Sequence, residues 1–267
     1  MYSPQNNNAG RVDISVITPF YKGNKYIPEL LSMLSANVQS MDKNSVEVEY
    51  ILVNDSPDVK MEYDATKSYP FRIRCIINPK NIGIHASRCA GIRAAKGKYI
   101  VMLDQDDRLD NNWLKEQWKA VKGNDFAISN AFFCQKHVQF SAYKNEEEMR
   151  NCCNKWALCL KGNKIISPGQ VLIKKDIIPK IWMKHPLKNN GADDYLLWIL
   201  LFEKQHRVAY NPKVFYYHVY TNESVSHRSR LMRRSETEMA ELICRYHLTG
   251  LVRRIIYKNK YIKKSKQ

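Results

Sequence analysis

The chain lacks an apolar run long enough to cross a bilayer. Its longest, YLLWILLF from Tyr195 to Phe202, falls far short of the ~20 residues a spanning helix needs. The opening MYSPQNNNAGR is polar, with no apolar h-region, so no signal peptide is expected. There is no CxxC pair, and the seven cysteines are odd in number. That argues against a zinc site or a disulfide framework and for buried thiols in a reducing cytoplasm, where the Asn-x-Ser matches at Asn54 and Asn222 carry no meaning. Repeats and low-complexity linkers are missing as well. Acids are scarce at one end: from Arg228 to Gln267, twelve Lys or Arg meet three Glu, and the final LVRRIIYKNKYIKKSKQ has none. Such a segment points to an anionic partner, lipid headgroups or nucleic acid.

What is present is 267 residues, 44% of them hydrophobic, with a net charge of +17. That suffices for one sizeable domain with a terminal appendage. DISVITPF (Asp13 to Phe20) predicts a buried strand, and the next segment places Ile27, Leu30, Leu31 and Leu34 at helical spacing. VEVEYILVND, FRIRCIIN, KYIVMLD and DFAISNAFF predict further strands. IHASRCAGIRAAKG predicts a helix closed by Gly97 as C-cap, and NNWLKEQWKAVKGN a helix capped by an Asn. Strands alternating with helices imply an α/β, doubly wound and mostly parallel sheet, with ligands at the carboxyl ends of its strands. The second half is less regular. NEEEMRNCCNKWALCLKG and GADDYLLWILLFEKQ predict helices, HRVAYNPKVFYYHVY one or two strands, and a basic helix follows from about Ser229.

Three strand ends carry polar clusters: TPFYKG, NDSPD and DQDD. The last, Asp104 to Asp107, sets carboxylates side by side, which costs Coulomb energy unless a cation offsets it. A divalent metal such as Mg²⁺ or Mn²⁺ would do so and bind jointly with substrate phosphates. The plain alternative is an exposed acidic turn before a helix.

The motif is not isolated. From Ile14 to Ser226 the chain resembles the family 2 glycosyltransferases, inverting enzymes of the GT-A fold. Four blocks in order carry the likeness: SVITPFYKGNKYIPELLSML, YILVNDSPD, NPKNIGIHASRCAGIRAAKGKYIVMLDQDD and GADDYLLWILL. The resemblance implies a nucleotide-sugar half over about 11–130, an acceptor half over about 131–227 and a basic helical extension over 228–267. It implies that Thr18, Pro19 and Tyr21 line the base pocket and that Asp55 accepts from the uracil imide. Arg88 would stand near the donor and Asp104 would contact the ribose, with Asn81 and Gln105 among the nucleotide-sugar contacts. Asp106 would ligate Mn²⁺ or Mg²⁺, assisted by Asp107. Departures are Asn54 in place of an acid, His85 in place of a small or polar residue, and YYHVYTNESVSH near the end. There His218 is either a third metal ligand or phosphate contact, or a plain strand residue.

Inverting transfer needs a carboxylate to take the acceptor's proton. The resemblance assigns this to Asp194, with Asp193 its neighbour; helix capping is the alternative. Ser167 to Gln170 would shape the acceptor pocket. Trp198 is expected in the core. In the tail, Leu251, Val252, Ile255, Ile256 and Ile262 can share a helix face flanked by cations, the pattern of an interfacial helix on anionic lipid; a solvated basic end is the alternative. The implied partners are a UDP-sugar donor, a saccharide or lipid-linked acceptor, and an anionic membrane touched by 251–267. The implied location is the cytoplasm or the inner face of the cell membrane. Two other classes fit the sequence less well. A sugar nucleotidyltransferase would show a Gly-rich, Arg-containing loop after its first strand, and TPFYKGNK is not that. A nucleic-acid-binding protein would show a binding motif, and none is visible.

Overall fold

The computed structural model describes residues 11–41, 46–64, 66–135, 138–220 and 229–263. Asn222 and the segment around it lie outside the described residues. β1 (Ile14–Phe20), β2 (Val48–Asn54), β3 (Arg72–Ile77) and β4 (Tyr99–Met102) form a parallel group in the order β3-β2-β1-β4. β1 and β2 are buried at every position because the sheet is covered on both faces. Ile14, Val16 and Phe20 pack to one side with α1 (Ile27–Ser40) and α3 (Trp113–Ala120). Ile17, Ile51 and Val53 pack to the other, with α2 (Ile84–Ala94).

Beyond β4 the order departs from simple alternation. The fifth parallel strand, β6 (Phe126–Gln135), is separated from β4 by β8 (Val171–Lys174), which runs antiparallel to both. β9 (Val208–Val219) then lies parallel to β6, and the two-residue β5 (Arg108–Leu109) pairs with its end. β7 (Val138–Ser141) forms a hairpin with β6. Among the described residues six of nine strands therefore run one way, a mixed but mostly parallel sheet. HRVAYNPKVFYYHVY is one strand, not two.

Two expected caps are replaced. α2 stops at Ala94 with Ala95 extended, so Gly97 is no C-cap. It is needed because a Cβ there would stand 2.4 Å from the backbone nitrogen of Ser15. Asn112 does precede α3, but its side chain makes no capping bond. Asn145 and Asn154 do cap, and they divide the next helical segment into α4 (Glu146–Cys152) and α5 (Lys155–Lys161).

α6 (Lys180–Lys184) and α7 (Asp193–Glu203) follow. α7 is buried from Asp193 to Leu201, Trp198 included. The basic end, expected as an appendage, contributes to this core. Met239, Ala240 and Ile243 of α8 (Ser229–Arg245) and Tyr257 of α9 (Leu251–Tyr257) are fully buried. All seven cysteines are free, three of them buried. Among the described residues no helix is long and apolar enough to cross a membrane.

Candidate active site

The carboxyl ends of β2, β1 and β4 open into a cavity of about 490 Å³, within the range of small-ligand sites. One wall comes from the ends of β1 to β4 and the loops that follow them: Pro19, Tyr21, Asp55, Asn81, Gln105 and Asp106. The other comes from later chain, with Asn163, Ser167, Asn190, Asp193, Asp194, His218 and Met232. Of the residues expected at the site only Thr18 stays outside. It is fully buried in β1, where its hydroxyl accepts from Tyr50 at 3.1 Å.

The loops of the first wall are tied together by side chains. Gln105 Oε1 accepts from the Tyr21 amide (3.0 Å) and its Nε2 donates back to the Tyr21 carbonyl (3.2 Å). The Tyr21 ring is left half exposed at the cavity edge. Asp55 accepts from Asn78 Nδ2 and the Ile82 amide at 2.8 Å and from the Gly83 amide at 2.9 Å. A carboxylate has about four acceptor positions, so one stays open toward the cavity.

Arg88 joins the two walls. Its guanidinium is buried, donating through Nη1 to Asp193 at 2.6 Å and through Nη2 to Asp104. Asp104 also accepts from Ser167 Oγ at 3.2 Å. Burial and Asp107 push the Asp104 carboxyl up, against the pull of Arg88. Burial acts most strongly on Asp193 and in the same sense, but the charge and hydrogen bond of Arg88, together with His85, hold that carboxyl below its usual range.

Asp194 differs from its neighbour. It is buried without an ion pair among the described residues, accepting from Asn163 Nδ2 (3.2 Å) and the Tyr195 amide (2.7 Å). Burial first, then Asp193, pushes its pKa up to about 8. Ala192, not an aspartate, is the N-cap of α7. A carboxyl with this pKa, facing a cavity, can accept a proton near neutral pH.

The acidic knot divides its tasks. Asp107, expected beside Asp106 as a metal contact, has both oxygens engaged. It accepts from Tyr216 OH and from the Val219 amide (2.8 Å), and lies 3.2 Å from His218 Nδ1. Pairing of β5 with β9 brings these groups together. Burial opposes charge on His218, yet Asp107 and its acidic neighbours raise its pKa. Asp106 makes no ion pair among the described residues. Burial, then Asp107 and Asp104, raises it to about 7.

A divalent cation fits this donor set in kind. Asp106 is an uncompensated hard oxygen donor. His218, holding Asp107 through Nδ1, has Nε2 left for a ligand, the usual carboxylate–histidine arrangement beneath a metal. No group of three or more His, Cys, Asp or Glu converges among the described residues. The described residues would thus supply two donors, Asp106 and His218.

The part of the later-chain wall around Asn190 carries no motif in the sequence. Asn190 Oδ1 accepts from the Ile84 amide (3.2 Å), and its loop is held by α8. Glu238 accepts from the amides of Lys188 (2.7 Å) and Asn189 (2.9 Å), and Ser235 Oγ accepts from the Ala192 amide (2.9 Å). Asn163 and Glu238 belong to no periodic pattern and act only through contacts distant in sequence. The SPGQ turn does shape the cavity. A Cβ on Gly169 would meet the Tyr216 ring at 2.4 Å.

Comparison with known proteins agrees with this architecture. The family described as Glycosyl transferase family 2 matches residues 15–182. An uncharacterized glycosyltransferase of Methanocaldococcus jannaschii is 26% identical over 194 residues, 70% of this chain and 63% of its own. A dolichol-phosphate mannosyltransferase of Pyrococcus furiosus is 25% identical over 169 residues, 63% of this chain and 42% of its own. The matches thus span less than two thirds of either relative. Among solved structures, S. aureus TarS 1-349 in complex with UDP-GlcNAc superposes with a TM-score of 0.64 at 18% identity, covering 87% of this chain and 66% of that one. The fold is accordingly of the GT-A kind. The chain belongs to glycosyl transferase family 2.

Proposed function

We propose that this chain transfers a sugar from a UDP-sugar to a saccharide or lipid-linked saccharide acceptor, with inversion, in the making of a cell-surface polysaccharide. The carrying observation is one cavity lined together by a raised carboxyl without an ion pair among the described residues, Asp194, by the strand-end loops of Tyr21 and Asp55, and by Asp106 and His218. In this reading the base stacks by Tyr21 and Pro19, and its imide N–H donates to the open position of Asp55. Asp106 and His218 Nε2 hold Mn²⁺ or Mg²⁺. When bound, the cation neutralises charge on the departing diphosphate.

The chain's own residues do the rest. The acceptor hydroxyl attacks the anomeric carbon as its proton passes to Asp194. The carbon–oxygen bond to the diphosphate breaks, and UDP leaves with the bonding pair. Asn163 orients the Asp194 carboxylate. Asp193, held by Arg88, keeps α7 in place and raises the basicity of its neighbour. Asp107 fixes the His218 ring. The basic residues 251–267 touch an anionic membrane from its cytoplasmic side, which suits a lipid-linked acceptor.

Calorimetric titration of UDP with and without Mn²⁺ tests the donor half. The expected result is binding that needs the cation and loses that need in Asp106→Ala. Equal UDP affinity in EDTA would overturn it.

A further inference from the structure

Two neighbouring helices at the surface both turn large apolar side chains outward. On α5 these are Trp156 and Leu160; on α9 they are Leu251, Val252 and Ile255. Their exposures run from 45% to 65%. The α9 residues are spaced to share one face, while Tyr257 points the other way into the core. The helices are fastened side by side. The Arg253 guanidinium lies 5.0 Å from the Trp156 ring centre and pairs with Glu203, and Lys260 Nζ reaches the Leu160 carbonyl at 3.5 Å.

Cations flank both helices, while Glu203 is held in the ion pair with Arg253. Exposed Lys155 and Lys161 flank the α5 pair, and exposed Lys258 and Lys263 continue from α9. Neither 151–175 nor 243–267 contains an acid. Apolar groups that include a tryptophan, set within a cationic rim, match the boundary between acyl chains and anionic headgroups.

We propose that α5 and α9 together form one docking surface for an anionic phospholipid bilayer. This extends the membrane contact beyond the terminal segment to α5, and it rests on the glycosyl-transfer reading only for its purpose. Leu160 lies three residues before Asn163, which lines the cavity and donates to Asp194. A docked bilayer would therefore lie beside the acceptor wall of the site.

The test is co-sedimentation of the full chain with phosphatidylglycerol–phosphatidylcholine vesicles and with pure phosphatidylcholine vesicles. W156S/L160S and L251S/V252S/I255S are run alongside, all in EDTA. Wild type is expected to partition onto the anionic vesicles only and to be released by about 0.5 M salt. Each variant is expected to lose about tenfold or more in partitioning while keeping its circular dichroism and its UDP affinity with Mn²⁺. Wild type that ignores anionic lipid, or W156S/L160S that sediments like wild type, overturns the composite surface. So does a wild-type dimer in sedimentation velocity that either variant dissolves, since a second copy would then cover the patch. Vesicle binding without UDP binding would instead count against the glycosyl-transfer reading alone.

Discussion

Two adjacent aspartates at the start of α7 have opposite chemistries because one guanidinium reaches only one of them. Asp193 pairs with Arg88 at 2.6 Å and is held low; Asp194 has only neutral donors and is pushed up to about 8. A base must be deprotonated to act, so the sign follows. In the free enzyme kcat/KM should rise about tenfold per pH unit below 8 and level off above it. Arg88→Lys, which removes the two-pronged contact, should move that rise along the pH axis. A flat profile from pH 6 to 9, with chemistry shown to limit the rate, would contradict the assignment. At His218 the expectation concerns the metal. His218→Gln should weaken Mn²⁺-supported UDP binding about 10–100-fold and leave the residual binding in EDTA unchanged, as read by calorimetry.

At the scale of elements, the loop from Leu187 to Ala192 is set by α8 rather than by its own sequence. Glu238 receives two backbone amides and the Asn189 side chain. Glu238→Ala leaves the half-buried amide and side-chain donors of Asn189, and the exposed amide of Lys188, without this acceptor. It should cost about 1–3 kcal/mol in urea unfolding and speed amide exchange at Lys188 and Asn189. A variant as stable and as protected as wild type would mean that water replaces the carboxylate at no cost. This loop also marks the boundary of what the sequence made legible. β1, β2 and β4 are mostly apolar and buried at every position before ending in polar clusters, because strands covered on both faces have no solvent side. Their ligand-bearing ends could be read directly, as could Asp193 and Asp194 opening a helix. The insertion of β8 between β4 and β6 could not: ISPGQVLIKKDII reads as a turn, a short strand and a turn, but four residues do not say which strands they pair with. Nor could the roles of Asn163, Ser235 and Glu238, which are long-range hydrogen bonds. Thr18 misled for a related reason: alternation along β1 turns it into the sheet's interior, away from the cavity.

For the whole molecule, the basic end is part of the domain it follows. Tyr257 is fully buried and packs edge-on to Tyr195, whose amide is bonded to Asp194. A chain ending at Gly250 should therefore lose more than a lipid contact. Removal of a buried aromatic alone costs about 3–5 kcal/mol, so this truncation should unfold at markedly lower urea concentration. An unchanged midpoint would show the end to be dispensable. Surface substitutions at Leu251, Val252 and Ile255 should leave the midpoint where it is. The same integration explains why one cavity can draw walls from chain positions as far apart as Pro19 and Met232.

The most direct test of the account is turnover by Asp194→Asn, with Asp193→Asn beside it. The donor is whichever of a panel of UDP-, dTDP- and GDP-sugars the wild type consumes, and UDP and Mn²⁺ affinities are measured on the same preparations. Asparagine keeps the shape and the bond from the Tyr195 amide but cannot take a proton. The account predicts a fall of about 10²–10⁴-fold in turnover with UDP and metal affinities retained, and a smaller loss for Asp193→Asn. An Asp194→Asn enzyme within about threefold of wild type would place the base elsewhere and leave Asp194 as a buried residue of the first turn of α7.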